Sequence, residues 1–184
     1  MFFAGARGPG QSKVSDQEYS QSGRRHHRRL HSGGRDLLPP GSGDRGASGI
    51  DGVIASAAGY AKGLDKPVTL MIGDLAALHD LNSLSMLRDL PNPLIIVLLN
   101  NGGGAIFSFL PIAEFKEGFE KFWGTPHSYT LASAAAMFEL NYSQPMDVHH
   151  FRQVYTQALK SQTSTIIEVI TNREENKILH DRFR

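Results

Sequence analysis

The sequence predicts an α/β fold, a doubly wound parallel sheet with helices on both faces. Two observations carry this reading. Three short, continuous apolar runs, at 68–72, 94–99 and 165–170, have the character of strands buried on both sides. Stretches with helical spacing or with runs of small apolar residues lie between them, long enough to cross back to the start of the next strand. The chain of 184 residues is enough for one domain with a substantial core, and too short for two full ones.

Taken in order, residues 50–61 are Ala-rich and suit a helix packed closely on a sheet. Gly63 and Lys66-Pro67 end it. The first strand runs over 68–72. Leu81, Leu84, Met86, Leu87 and Leu90 lie near helical spacing over 79–90, and Pro91-Asn92-Pro93 stops that helix. The second strand, 94–99, follows. Further helices are expected at 113–122, 131–138 and, with an amphipathic pattern, 147–160. The strand at 165–170 precedes a short polar helix at 173–183. No internal repeat is present.

Residues 1–44 stand apart. After Met1-Phe2-Phe3-Ala4-Gly5 no periodicity is sustained, and Gly, Ser, Arg and His dominate, with Arg24-Arg25-His26-His27-Arg28-Arg29 at the centre. Such a segment buries too little apolar surface to offset its ordering entropy, so residues 1–44 are expected to be poorly ordered and residues 45–184 to form the domain. Asp16, Glu18 and Asp36, and the lack of an amphipathic stripe, argue against an organelle-import peptide.

The formal charge of +1 conceals a split. Residues 1–44 hold seven basic and four acidic residues (+3), leaving twelve and fourteen (−2) for 45–184. The compact part therefore lacks the charge of a nucleic-acid binder. With no cysteine, disulfides and thiolate metal sites are excluded. No apolar run reaches the roughly eighteen residues of a membrane span, and a cytoplasmic location is expected, or a plastid were the source a photosynthetic eukaryote.

Ligands of open α/β sheets bind beyond the carboxyl ends of the strands. Two turns fall there: Gly73-Asp74-Leu75, and Asn100-Asn101-Gly102-Gly103-Gly104. A crossover of about a dozen helical residues (roughly 18 Å) matches a strand of about six (roughly 20 Å), which brings Asn101 back to the edge of Asp74. A carboxylate and a carboxamide beside glycines make an oxygen-ligand set for a hard divalent cation, which usually completes its shell with phosphate and water. Either turn alone is ordinary, a helix cap or a loop. The pair together, each after a buried strand, points to a metal and phosphate site.

Gly-Asp, a helix and strand, then Asn-Asn resembles the cofactor signature of thiamine-diphosphate-dependent enzymes. The wider strings Arg45-Gly46-Ala47-Ser48-Gly49-Ile50-Asp51-Gly52, Gly73-Asp74-Leu75 and Asn100 through Ala105-Ile106-Phe107-Ser108-Phe109-Leu110-Pro111 resemble one branch. That branch is the 2-succinyl-5-enolpyruvyl-6-hydroxy-3-cyclohexene-1-carboxylate (SEPHCHC) synthases of menaquinone and phylloquinone biosynthesis. The resemblance covers about residues 45–180 and corresponds to the last, diphosphate-binding domain of the family's three.

The resemblance implies thiamine diphosphate and Mg²⁺ (or Mn²⁺) as cofactors. Asp74, Asn101 and Gly103 would hold the metal, the last through its carbonyl. Gly49, Ile50, Gly73, Asp74, Leu75, Asn101 and Gly103 would line the cofactor, with Ile50 as the bulky residue beneath its bent form. Arg45 would face substrate carboxylates, and Ile106, Phe107 and Leu110 the apolar side of the substrate pocket. Without the resemblance, Ile50 reads as core at a helix start, Arg45 as a solvated loop residue, and the other three as packing on the sheet. The implied reaction decarboxylates 2-oxoglutarate and adds the product carbanion equivalent to isochorismate. No catalytic residue is expected within this chain, because the activating glutamate of such enzymes belongs to a pyrimidine-binding domain. The chain is accordingly expected to be inactive alone and to work as a homo-oligomer or beside the missing domains. Two other readings stand next to this one: an acetolactate-synthase-like or 2-oxoacid decarboxylase enzyme, and a non-catalytic domain remnant.

Other features read as structure. His149-His150 are adjacent on one helix and cannot face one ligand. Glu114, Glu117 and Glu120 suit a solvated face, Trp123 suits packing, and Asn172-Arg173 is open between surface capping and a place near the site.

Overall fold

In the computed structural model, residues 2–4, 41–42, 49–64 and 66–183 are described. Arg45 and nearly all of 1–44 lie outside them, and with them the expectations for the tail and for a substrate-facing arginine.

Six strands form one sheet: β1 (Phe2–Ala4), β2 (Gly41–Ser42), β3 (Val68–Gly73), β4 (Leu94–Asn100), β5 (Asn141–Ser143) and β6 (Thr165–Ile170), in the order β2-β1-β3-β4-β6-β5. β3, β4, β6 and β5 are mutually parallel. β1 and β2 add antiparallel strands at one edge, so the sheet is mixed there rather than wholly parallel. The three long strands are the three apolar runs of the sequence.

Helices cover both faces, as period-two alternation requires. Leu70, Ile72, Leu94, Ile96, Leu98 and Ile166 pack with residues of α1 (Val53–Leu64), α2 (Asp74–His79) and α4 (Ala132–Met137). Ile95, Val97 and Ile167 face the other way, onto Ala158, Phe151, Val154 and Tyr155 of α5 (Val148–Ala158). There the Thr69 and Tyr155 hydroxyls lie 2.9 Å apart, tying helix to sheet. Asp147 caps α5 by accepting the His150 N–H, and Asn172 caps α6 (Arg173–Asp181) by accepting from Glu174 and Glu175.

The expected helix at 79–90 is a correction. The chain is helical at once after β3, as α2, and continues as a 3₁₀ segment, Leu81–Leu87. Asp80 causes the break. It is buried, and its Oδ2 accepts the N–H groups of Ile54 (2.6 Å) and Ala55 (3.0 Å) at the start of α1. Ser83 donates to its other oxygen. A carboxylate turned inward to cap a neighbouring helix leaves its own backbone outside α geometry.

The helix expected at 113–122 is also replaced. The chain passes through 3₁₀ turns at Ala105–Phe109 and Pro111–Glu114, the one-turn α3 (Lys116–Phe119) and a π segment, Glu120–Gly124. Pro111 at the start of the second turn and Thr125 in the left-handed region (φ +38°) confine these pieces.

Candidate cofactor and metal site

Register places the two turns together. Gly73 pairs with Leu99 across the parallel β3–β4 ladder, so both chains leave the sheet at one edge. Asp74 begins α2 and is 2% exposed. Its Oδ1 accepts the Leu75 N–H at 2.8 Å. Its Oδ2 accepts the N–H groups of Asn101 (3.1 Å) and Gly103 (2.9 Å), so the carboxylate grips the Asn-Asn-Gly loop.

The two asparagines divide their work, because neighbouring side chains at a strand end point to opposite sides. Asn100 points into the protein. Its Nδ2 donates to the Glu168 carboxylate (2.6 Å) and the Tyr129 carbonyl (2.8 Å), and its Oδ1 accepts the Gly102 N–H (3.0 Å). The Oδ1 of Asn101, by contrast, is buried and has no hydrogen-bond partner among the described residues. At the end of β3, directly before Asp74, a Cβ on Gly73 would meet nothing within 4 Å. An orphaned carboxamide oxygen, a carboxylate and open room over a glycine fit a hard cation carrying an anionic group. Among the described residues no group of three or more His, Asp or Glu could hold a metal unaided. Backbone carbonyls, a ligand or water would supply the further oxygens.

The glycine loop is shaped by the protein as well. Gly102 (φ +74°) and Gly103 (φ +145°) adopt backbone that disfavours side chains. A Cβ on Gly103 would collide with the Gly124 carbonyl, and one on Gly104 would lie 2.6 Å from that of Trp123. Gly104 N–H donates to Gly124 (2.8 Å), and His127 N–H to Gly102 (3.1 Å).

Gly49 (φ +112°) and Ile50 precede α1, which starts at Val53. Ile50 is 42% exposed, so it is not core at a helix start. Ile106 and Leu110, at 71% and 48%, are not packed on the sheet either. Phe107 is half-buried and meets Trp123 edge to face at 5.6 Å. Leu75 is half-buried on α2. His149 pairs with Gln153 on an exposed face (3.0 Å), and Arg173 pairs with Glu120 (2.8 Å).

Three residues of this region escaped the sequence reading, Asp80, His127 and Glu168, and Asn100 was read only as part of the turn. Glu168 is fully buried in β6 and accepts from Asn100, the Leu131 N–H (2.9 Å) and the Tyr142 hydroxyl (2.8 Å). Burial, then the hydrogen bond to Glu168 and its charge, pushes the Tyr142 phenol well above its usual range. One acid inside an otherwise apolar strand was the available signal. His127, buried 3.3 Å from Asp74, gave none.

Over 150 residues the chain is 51% identical to the SEPHCHC synthase of Chlorobium phaeovibrioides, covering 82% of this chain and 26% of that protein. The chain is a homologue of the SEPHCHC synthases. Those of Chlorobaculum parvum (50% over 137 residues; 74% of this chain, 24% of that protein) and Rubrobacter xylanophilus (52% over 141; 77% and 24%) match similarly. The chain thus spans about a quarter of the length of these SEPHCHC synthases. No family model matches it. Among solved structures, benzoylformate decarboxylase from Polynucleobacter necessarius shares the fold (TM-score 0.56, 14% identity, 65% of this chain and 23% of that one). The thiamine diphosphate-dependent 4-hydroxybenzoylformate decarboxylase of Rhodococcus jostii is similar at TM-score 0.54 and 27% identity, over 63% of this chain and 22% of that one.

Proposed function

We propose that this chain is the diphosphate-side, C-terminal cofactor domain of a SEPHCHC synthase, binding thiamine diphosphate through Mg²⁺ or Mn²⁺. The observation that carries the reading is the convergence of Asp74 with Asn101, whose buried Oδ1 lacks a partner among the described residues. Asp74 and Asn101 would hold the cation by side-chain oxygens and Gly103 by its carbonyl. Gly49, Ile50, Gly73 and Leu75 would line the cofactor. Ile106, Phe107 and Leu110 would offer the apolar wall to substrate, and Arg45 a cation for its carboxylates.

When bound, thiamine diphosphate supplies the nucleophilic carbon and electron sink for decarboxylating 2-oxoglutarate and adding the product to isochorismate. The residues of this chain bind, orient and neutralise. None of them is assigned a proton transfer, and turnover requires a pyrimidine-binding domain supplied beside this one. A cytoplasmic, homo-oligomeric enzyme is the setting this reading implies.

Calorimetric titration of thiamine diphosphate, with and without Mg²⁺, tests the cofactor assignment. Binding requires the cation, Asp74→Ala abolishes it, and Asn101→Ala weakens it less, because that variant loses only a neutral ligand. Binding indifferent to chelator or to Asp74→Ala would reduce the Gly-Asp turn to a helix start. Assaying isochorismate against pyruvate in the reconstituted enzyme separates this branch from acetolactate-synthase-like chemistry.

A further inference from the structure

His127 reaches Asp74 from 53 positions away in the chain. Both side chains are more than nine-tenths buried, and Nε2 lies 3.3 Å from Asp74 Oδ2. The contact is within ion-pair range but off the hydrogen-bond direction, so Nε2 is itself a buried polar atom without a hydrogen-bond partner. The other ring nitrogen is committed. Nδ1 accepts the Tyr129 N–H at 3.2 Å, and the Tyr129 ring stacks on the imidazole at 5.4 Å and 14°. An Nδ1 that accepts carries no proton, so the neutral ring bears its proton on Nε2, facing the carboxylate.

The backbone around His127 is held in place for this contact. Thr125 is β-branched, yet it sits at φ +38°, an arrangement that persists only where surroundings over-determine it. Those surroundings are the Glu120 carbonyl, which accepts the Thr125 N–H (2.9 Å), and the glycine loop, bonded to Gly124 and His127.

We propose that His127 is a positioning residue of the cation site. Its Nε2–H, with the N–H groups of Asn101 and Gly103, occupies the Oδ2 side of Asp74. Oδ1, whose only donor among the described residues is the adjoining Leu75 N–H, is thereby turned with the Asn101 carboxamide oxygen toward the cation. Outer partners of this kind orient ligating carboxylates and raise metal affinity. The inference rests on the cation-site reading above, with Asp74 as a ligand.

The test uses the 184-residue chain, Mn²⁺ and thiamine diphosphate, reading bound Mn²⁺ by water-proton relaxation. His127→Phe keeps a ring but has no N–H, and should weaken Mn²⁺ about tenfold or more. His127→Gln places an amide N–H near the Nε2 position and should recover most of that loss. His127→Asn, whose amide stops near Nδ1, should not. Thermal melts of each variant separate lost affinity from lost fold.

A second readout needs no metal: ¹⁵N shifts of the His127 ring in the free chain should show the Nε2–H tautomer. An Nδ1–H tautomer, wild-type Mn²⁺ affinity in His127→Phe, or a His127→Gln variant as weak as His127→Phe each overturns the proposal. Failure of the wild-type chain to bind Mn²⁺ with thiamine diphosphate removes the cofactor reading instead, and the positioning role with it. The tautomer still reports the contact on its own.

Discussion

Two buried carboxylates flank β4, Asp74 just beyond the end of β3 and Glu168 within β6, and they are held differently. Glu168 is enclosed by three protein donors that come from a strand end, a helix start and a tyrosine. Both of its oxygens find donors that belong to the fold. Around Asp74 the accounting is incomplete. Its own oxygens are bonded, but the neighbouring Asn101 Oδ1 and His127 Nε2 are not. Buried polar atoms without partners are costly, so a fold retains them where something else supplies the partner. Glu168 therefore reads as architecture, while the unpartnered atoms around Asp74 are what the proposed cation site would use, although burial alone would rank the two carboxylates alike.

The sharpest way to break this comparison is to remove each charge. Glu168→Ala strands three donors in the interior, and at about 1 kcal/mol or more for each it should cost roughly 3 kcal/mol or more of stability. Asp74→Asn keeps one oxygen for the Asn101 and Gly103 N–H groups and turns its amide toward the Leu75 N–H, so one buried donor loses its partner. It should cost about 1–2 kcal/mol of stability while removing cation-dependent binding. Urea denaturation of both variants, paired with calorimetry, checks this. A larger stability loss in Asp74→Asn than in Glu168→Ala would reverse the two roles.

The asparagine pair sharpens the contrast at the scale of one peptide bond. Asn100→Ala loses bonds to Glu168, Tyr129 and Gly102, and should cost roughly 1–3 kcal/mol. Asn101→Ala removes an oxygen that bonds nothing in the protein, so the melting transition should stay within about 0.5 kcal/mol of wild type. Its effect should appear only when the divalent cation and thiamine diphosphate are present.

These differences mark what a sequence can reveal. The strands were legible because continuous apolar runs such as Leu94-Ile95-Ile96-Val97-Leu98-Leu99 have no stable place except between two layers. Asp74 and Asn101 were legible because a strand, a crossover and a parallel strand must return to the same edge. That conclusion survives the misplaced helix, since α2 and the 3₁₀ segment still span the return. The helix itself was misjudged because Asp80 bonds across to Ile54 and Ala55, a tertiary contact that outweighs the local pattern of leucines. His127 and Asn100 were illegible for the same kind of reason. Which side of the sheet edge an asparagine faces, and which distant loop folds over it, are decided by packing rather than by local propensity.

The smallest effect expected concerns the satisfied carboxylate and pH. Tyr142 donates to Glu168, and burial together with that carboxylate raises its phenol well above the value of about 10 it has in an unfolded chain. Below about pH 10 the phenol is protonated in both states, so its contribution to stability is fully present. Above that pH the unfolded chain releases a proton that the native chain keeps, and stability falls as pH rises. Other tyrosines and lysines titrate in the same range, so the comparison must be with Tyr142→Phe. The stability difference between wild type and Tyr142→Phe should be constant up to about pH 10 and shrink beyond it, measured by urea melts from about pH 8 to about pH 11. A difference that stays constant through that range would mean that Tyr142 ionises as freely in the fold as outside it. Glu168 would then not be held by this hydroxyl, and the clean division between a satisfied carboxylate and an unsatisfied site would lose one of its three supports.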